Sequence, residues 1–173
     1  MKITTGNHDF DFVSSAFEQR DSSDSSISKR LKALAKAKFE PLVSLLKEFL
    51  SSQDSFWIEM GIKNLIFFKD SITQNEIQMI RNALDTDEDA DVQMAAASFL
   101  GFNDPNASEF LMNKIDENND KFVNAAIAAS VLTSNNIPPY ISLAISDQIT
   151  SGNIKNAKLN IQEAIKETIL SSK

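Results

Sequence analysis

Three stretches of this chain read as copies of one another, and that repetition constrains the fold more than any other feature. DSFWIEMGIKNL (54–65), DADVQMAAASFL (89–100) and DKFVNAAIAASV (120–131) each open on an aspartate, carry an apolar residue three positions on, pass through small residues and return to an apolar one. Aligned, they superpose Trp57, Val92 and Val123, then Met60, Ala95 and Ala126, then Gly61, Ala96 and Ile127, then Leu65, Leu100 and Val131, at offsets of 35 and 31 residues. A break and a second amphipathic stretch follow each copy, at roughly 72–84, 105–117 and 137–150. Two helices repeated at such a period bury their apolar faces only by stacking on neighbouring pairs, which is the logic of an α-solenoid.

The rest of the chain agrees with an all-α class. Apolar residues recur at spacings of three and four, and alternation at period two never lasts a strand's length. Four glycines and four prolines against twelve phenylalanines favour long helices with few breakers. Residues 27–39 place Ile27, Leu31, Leu34 and Ala35 on one face, and Pro41 sits where a second helix through Leu42, Leu45, Leu46 and Phe49 can begin. In 154–170, Ile154, Ala157, Ile161, Ala164, Ile165 and Ile169 form one stripe opposite a polar face, as a terminal capping helix requires. The expected organisation is an N-terminal aromatic segment and Ser/Asp-rich linker over 1–26, then one helical repeat domain over 27–173.

Asp89, Asp91, Val92, Ala95, Ala96, Leu100 and Gly101 resemble the first-helix signature of HEAT-like repeats, and Asp120, Val123, Ala126 and Val131 are a looser copy. The resemblance covers residues 54–150, and 27–51 joins it by helix pairing alone. Gln93 and Asn124 stand where such repeats often carry an arginine after the valine. Membership implies a HEAT/ARM-like right-handed superhelix of about four antiparallel helix pairs with a C-terminal capping helix. It also implies that second helices line the concave side. The aromatic and glycine spacing of tetratricopeptide arrays is not evident.

The run DTDEDAD (85–91) puts Asp85, Asp87, Asp89 and Asp91 at the first, third, fifth and seventh places of a calcium loop. Ala90 then falls where the loop needs glycine, and Ala96 where it needs a bidentate glutamate. The expectation is instead that Asp89 or Asp91 caps a helix starting near Ala90, because Asp54 and Asp120 recur at the same place in the other copies.

Chemistry is thinly represented. His8 is the single histidine and lies near the N-terminus, no cysteine is present, and no glycine-rich phosphate loop occurs. No metal or cofactor is therefore expected, and no catalytic residue. Glu117 and Asp120 make a poor acid–base pair because both fall in an inter-helix turn open to water. Trp57, in a stretch apolar nearly all round, is expected in the core. A formal charge of -7 with three arginines opposes nucleic-acid binding, and no basic patch stands out. No signal-like or membrane-spanning stretch is apparent, so a cytoplasmic protein without membrane contact is expected.

Surface remains. With Ile77, Ile80 and Leu84 buried, Asn75, Gln78, Met79 and Asn82 face outward; with Leu111 and Ile115 buried, Glu109, Met112, Asn113 and Asp116 do; with Ile141 and Ala144 buried, Ser142, Ser146 and Asp147 do. Such a face suits a protein partner, and the acidity suits a basic one. The expected function is a non-catalytic protein-binding module, in its sharper form an inhibitor or immunity protein of a basic toxin. The alternatives are an enzyme of the DNA-repair glycosylase or bilin lyase kind, and a structural subunit of a larger assembly.

Overall fold

The computed structural model describes residues 5–172, and every regular element among them is helical. In order these are α1 (His8–Glu18), α2 (Ser26–Lys36), α3 (Leu42–Phe49), α4 (Ser55–Leu65), a 3₁₀ segment (Ile66–Ser71), α5 (Gln74–Thr86), α6 (Ala90–Asn103), α7 (Ala107–Lys114), α8 (Lys121–Ser134), α9 (Pro139–Thr150) and α10 (Ile154–Ser171). The all-α class stands. The three repeated aspartates are the N-caps of α4, α6 and α8: Asp54 Oδ1 accepts from the Phe56 amide at 2.9 Å, Asp89 Oδ1 from Asp91 at 2.8 Å, and Asp120 Oδ1 from Phe122 at 2.7 Å.

The helices are short, from 8 to 18 residues, where a scarcity of glycine promised long ones. The reason is that ordinary residues occupy the left-handed position glycine usually takes after a helix. Arg20, Lys38 and Asn136 have φ of 55°, 54° and 56°. At each, the helix ends in the same paired closure; after α1, Arg20 N donates to Phe17 O at 3.0 Å and Asp21 N to Ala16 O at 2.9 Å.

The chain divides into two compact units, residues 1–87 and 88–173. In the first, α1 packs on α2, and α2 and α3 on α4. The residues around Phe10, expected as a segment ahead of the repeats, form α1 and bury Phe10 and Val13. Arg30 of α2 ties the two helices by pairing with Asp9, its guanidinium 4.4 Å from the centre of the Phe12 ring. Trp57 is 1% exposed and meets Phe17, Phe49 and Phe56 at ring-centre distances of 5.3, 4.8 and 5.1 Å. One further contact fixes how α4 lies on α3. A Cβ on Gly61 would come to 3.0 Å from Leu46 O and Phe49 Cβ, so a larger residue there would require α3 to give by a few tenths of an ångström.

α5 begins with a reciprocal cap: Glu76 Oε2 accepts from the Thr73 amide at 2.8 Å and from its hydroxyl at 2.7 Å, and Thr73 Oγ1 accepts from the Asn75 amide. Lys47 of α3 stands 3.2 Å from the same carboxylate. Burial pushes the Glu76 carboxyl up, but the two Thr73 bonds and Lys47 together outweigh it and hold it below its ordinary value of 4.5. A depressed carboxyl adds stability above its unfolded value, lost as pH falls through the folded one. Glu76→Gln should therefore lower the unfolding free energy by about 1–2 kcal/mol at neutral pH. Urea titrations should show that deficit shrinking well below pH 4.5; a deficit independent of pH would contradict this account.

In the second unit α8 is the central helix, lying against α6, α7, α9 and α10. Its closest approach is to α6, where a Cβ on Gly101 would come within 2.8 Å of Ser130 O and 2.9 Å of Ser130 Cβ. Asn124, fully buried, organises the α7–α8 turn: its Oδ1 accepts from the Asp116 amide at 3.2 Å and its Nδ2 donates to Asp116 O at 2.7 Å. Lys158 of α10 donates to Ile115 O, at the carboxyl end of α7, at 2.9 Å. Two stripes differ from expectation. On α9, Ile145 and Ile149 are buried, while Ile141 is half-buried and Ala144 exposed. On α10, Ala157, Ile161 and Ala164 are buried but Ile169 is exposed, because the helix outruns the surface it covers. Gly101→Ala should cost about 1–3 kcal/mol, since the added carbon meets backbone that cannot yield without separating α6 from α8. An unchanged melting curve would refute that close packing.

Candidate interaction surfaces

The residues expected to face a partner fall on three helices in two units. On α5, Gln78 and Asn82 are exposed and joined by a 3.0 Å bond from Gln78 Nε2 to Asn82 Oδ1. Met79 is half-buried, its sulfur accepting from Asn75 Nδ2 at 3.6 Å. Ile77, Ile80 and Leu84 are buried beneath them. In the second unit Glu109 and Asn113 of α7 are exposed and Met112 is half-buried over Leu111 and Ile115. Asp116 is exposed but lies beyond the end of α7, in the turn, where its Oδ1 accepts from the Asn118 amide at 2.8 Å. That carboxylate is already engaged in shaping the chain.

α9 is where the surface departs most from the sequence pattern. Ser142 and Ser146 are half-buried, and the Ser146 carbonyl accepts from Thr150 Oγ1 at 3.1 Å. Asp147 is exposed. The outward stripe is instead Tyr140, Leu143, Ala144 and Asp147, at helical spacings of three, four and seven, with Tyr140 72% and Leu143 69% exposed. Apolar residues so well exposed in register on one helix face are uncommon for a surface that only meets water. Nearly every side of α9 carries an apolar residue, so spacing alone could not say which side is covered.

The acidic run resolves residue by residue. Asp87 accepts from Ser55 Oγ through both carboxylate oxygens, at 2.9 and 3.2 Å, and so fastens the end of α5's exit to the start of α4. Asp89 caps α6, Asp91 occupies its first turn and Asp85 is exposed at the last turn of α5. His8 is exposed as the first residue of α1, next to the N-cap Asn7. One charged feature went unread in the sequence: α2 carries Lys29, Lys32 and Lys36 exposed at spacings of three and seven, a single positive face. No helix among the described residues is long and apolar enough to cross a membrane.

No family model, curated protein or solved structure matches the chain. The geometry above is thus the ground for a functional reading.

The capping assignment has a direct check. Asp89→Ala should cost about 0.5–2 kcal/mol of stability, and Asp91→Ala less than half as much, because only the first removes a side-chain acceptor from the amides opening α6. Equal losses in urea denaturation would move the cap to Asp91.

Proposed function

We propose that this chain is a non-catalytic protein-binding module of HEAT-like construction that engages a basic protein partner. The observation that carries it is the exposed apolar stripe Tyr140, Leu143, Ala144 on α9, bordered by Asp147, in a unit that has eleven acidic against six basic residues over 88–173. Large exposed apolar side chains in a unit of net negative charge supply the two terms of association: desolvated contact for lifetime and complementary charge for encounter rate. Glu109, exposed on α7, is one of the acids of that unit.

Support for the HEAT-like part comes from helix order. The first helices of two successive copies, α6 and α8, lie directly against each other through small residues, and the second helices α7 and α9 both pack on α8. The sharper form of the reading is an inhibitor or immunity protein that covers the working surface of a basic toxin. A second reading, contact with a nucleic acid, is favoured by one observation, the lysine face of α2.

Co-purification of the tagged chain from its own host at low and at high salt tests the proposal. A single stoichiometric basic protein, released as salt rises, is the expected result. Tyr140→Ala with Leu143→Ala should then weaken its binding by about tenfold or more while the circular dichroism stays unchanged. Glu109→Lys should slow association and leave dissociation nearly as it was. Recovery of nucleic acid alone would overturn the proposal and move the contact to α2.

A further inference from the structure

The exposed face of α10 carries a pattern that is complementary to itself. Lys155, Leu159 and Glu163 follow one another along it at spacings of four, and Leu159 between the two charges is 57% exposed. Asn156 and Gln162, both exposed, stand three residues before and three after the leucine. A lysine therefore lies four residues ahead of Leu159 and a glutamate four behind it, with an amide at the nearer position on each side.

That order suits an antiparallel pairing of α10 with α10 of a second copy. About a twofold axis near Leu159, the residue four before the leucine in one chain faces the residue four after it in the other. Lys155 of each copy then meets Glu163 of the second, Asn156 meets Gln162, and the two Leu159 side chains remove each other from water. A parallel pairing would instead set lysine against lysine and glutamate against glutamate.

The charge of the helix also singles it out. Residues 88–173 hold eleven acids against six bases, so most of that unit repels a second copy of itself. α10 is the exception, with Lys155, Lys158 and Lys166 against Glu163 and Glu167. The helix is firmly mounted: Lys158 Nζ donates to Ile115 O and Asn160 Nδ2 to Gln148 Oε1, each at 2.9 Å, which ties it to the end of α7 and to α9. The Glu163 side chain accepts no bond among the described residues, and Lys155 reaches only Glu117, at 3.9 Å with both side chains largely in water. So loose a pair gives way readily to a better one.

We infer that α10 is a self-association surface through which two copies of the chain form an antiparallel, twofold-symmetric dimer. From Lys155 to Glu163 the face spans about 12 Å of helix, well short of what a permanent interface buries. The dimer is therefore reversible, with a dissociation constant on the order of tens of micromolar. No other molecule takes part, and the inference is independent of the basic-partner reading, whose contact lies on α9.

Sedimentation equilibrium of the purified chain from micromolar to millimolar concentration should show a monomer–dimer equilibrium. Lys155→Glu alone, or Glu163→Lys alone, should weaken the dimer by about tenfold, since in a twofold pair one substitution turns two contacts repulsive. The two substitutions together exchange the charges and should restore it. Leu159→Asp should leave only monomer, with the circular dichroism unchanged because the side chain is exposed. In the unmodified protein, carbodiimide treatment of an equal mixture of isotope-labelled and unlabelled chains should join Lys155 to Glu163 across copies, a readout that needs no variant to fold. A chain that stays monomeric up to millimolar concentration overturns the inference. So does a dimer indifferent to Leu159→Asp, or one that the paired charge exchange fails to restore.

Discussion

Helix ends are the constraint on which this structure depends. Ten α-helices among the described residues have twenty ends, and each end leaves up to four amides or carbonyls without a partner inside the helix. The chain meets that demand in two ways. At the starts of α4, α6 and α8 a side-chain carboxylate takes the free amides. At the ends of α1, α2 and α8 the backbone turns left-handed and closes on itself. Both devices are local in sequence and fix where those helices start or stop, whereas helices as short as these owe most of their stability to packing.

Face selection then rests on a few close approaches. In the first unit an aromatic group centred on Trp57 draws α1, α3 and α4 together, and Gly61 sets how near α4 comes to α3. In the second, Gly101 and Ser130 set the distance between α6 and α8, and the other helices arrange themselves around α8. A buried asparagine in each unit is satisfied by backbone: Asn64 Nδ2 donates to Met60 O one turn back, and Asn124 spans both main-chain groups of Asp116. Asn124 is a neutral amide performing a local structural task, and no cation is introduced into the core.

Much of this was legible from the residues. The aspartate caps, the interior place of Trp57 and the buried stripes of α5 and α7 follow from spacing, because a helix with one strongly apolar side has only one way to face inward. The carboxyl ends of helices were harder to read: Arg20 and Lys38 carry no compositional sign that they will adopt positive φ, as a glycine, or the asparagine at 136, does. α9 was misphased for a different reason. With Ile141, Leu143, Ala144, Ile145 and Ile149 spread around it, its periodicity is nearly flat, and only contact with α8 and α10 decides which side is covered. A cleft lined by residues from 17–20 and 48–57 was invisible because helix ends and a loop from two distant stretches of the chain build it.

The placement of two rings gives the molecule separate optical labels. Trp57, the single tryptophan, is enclosed within residues 1–87, and Tyr140, the single tyrosine, lies on the surface of residues 88–173. Emission excited at the red edge of the indole band follows melting of the first unit only, whereas far-ultraviolet ellipticity sums both. Coincidence of the two curves is thus a measure, in the unmodified protein, of whether its halves unfold as one cooperative body or as two.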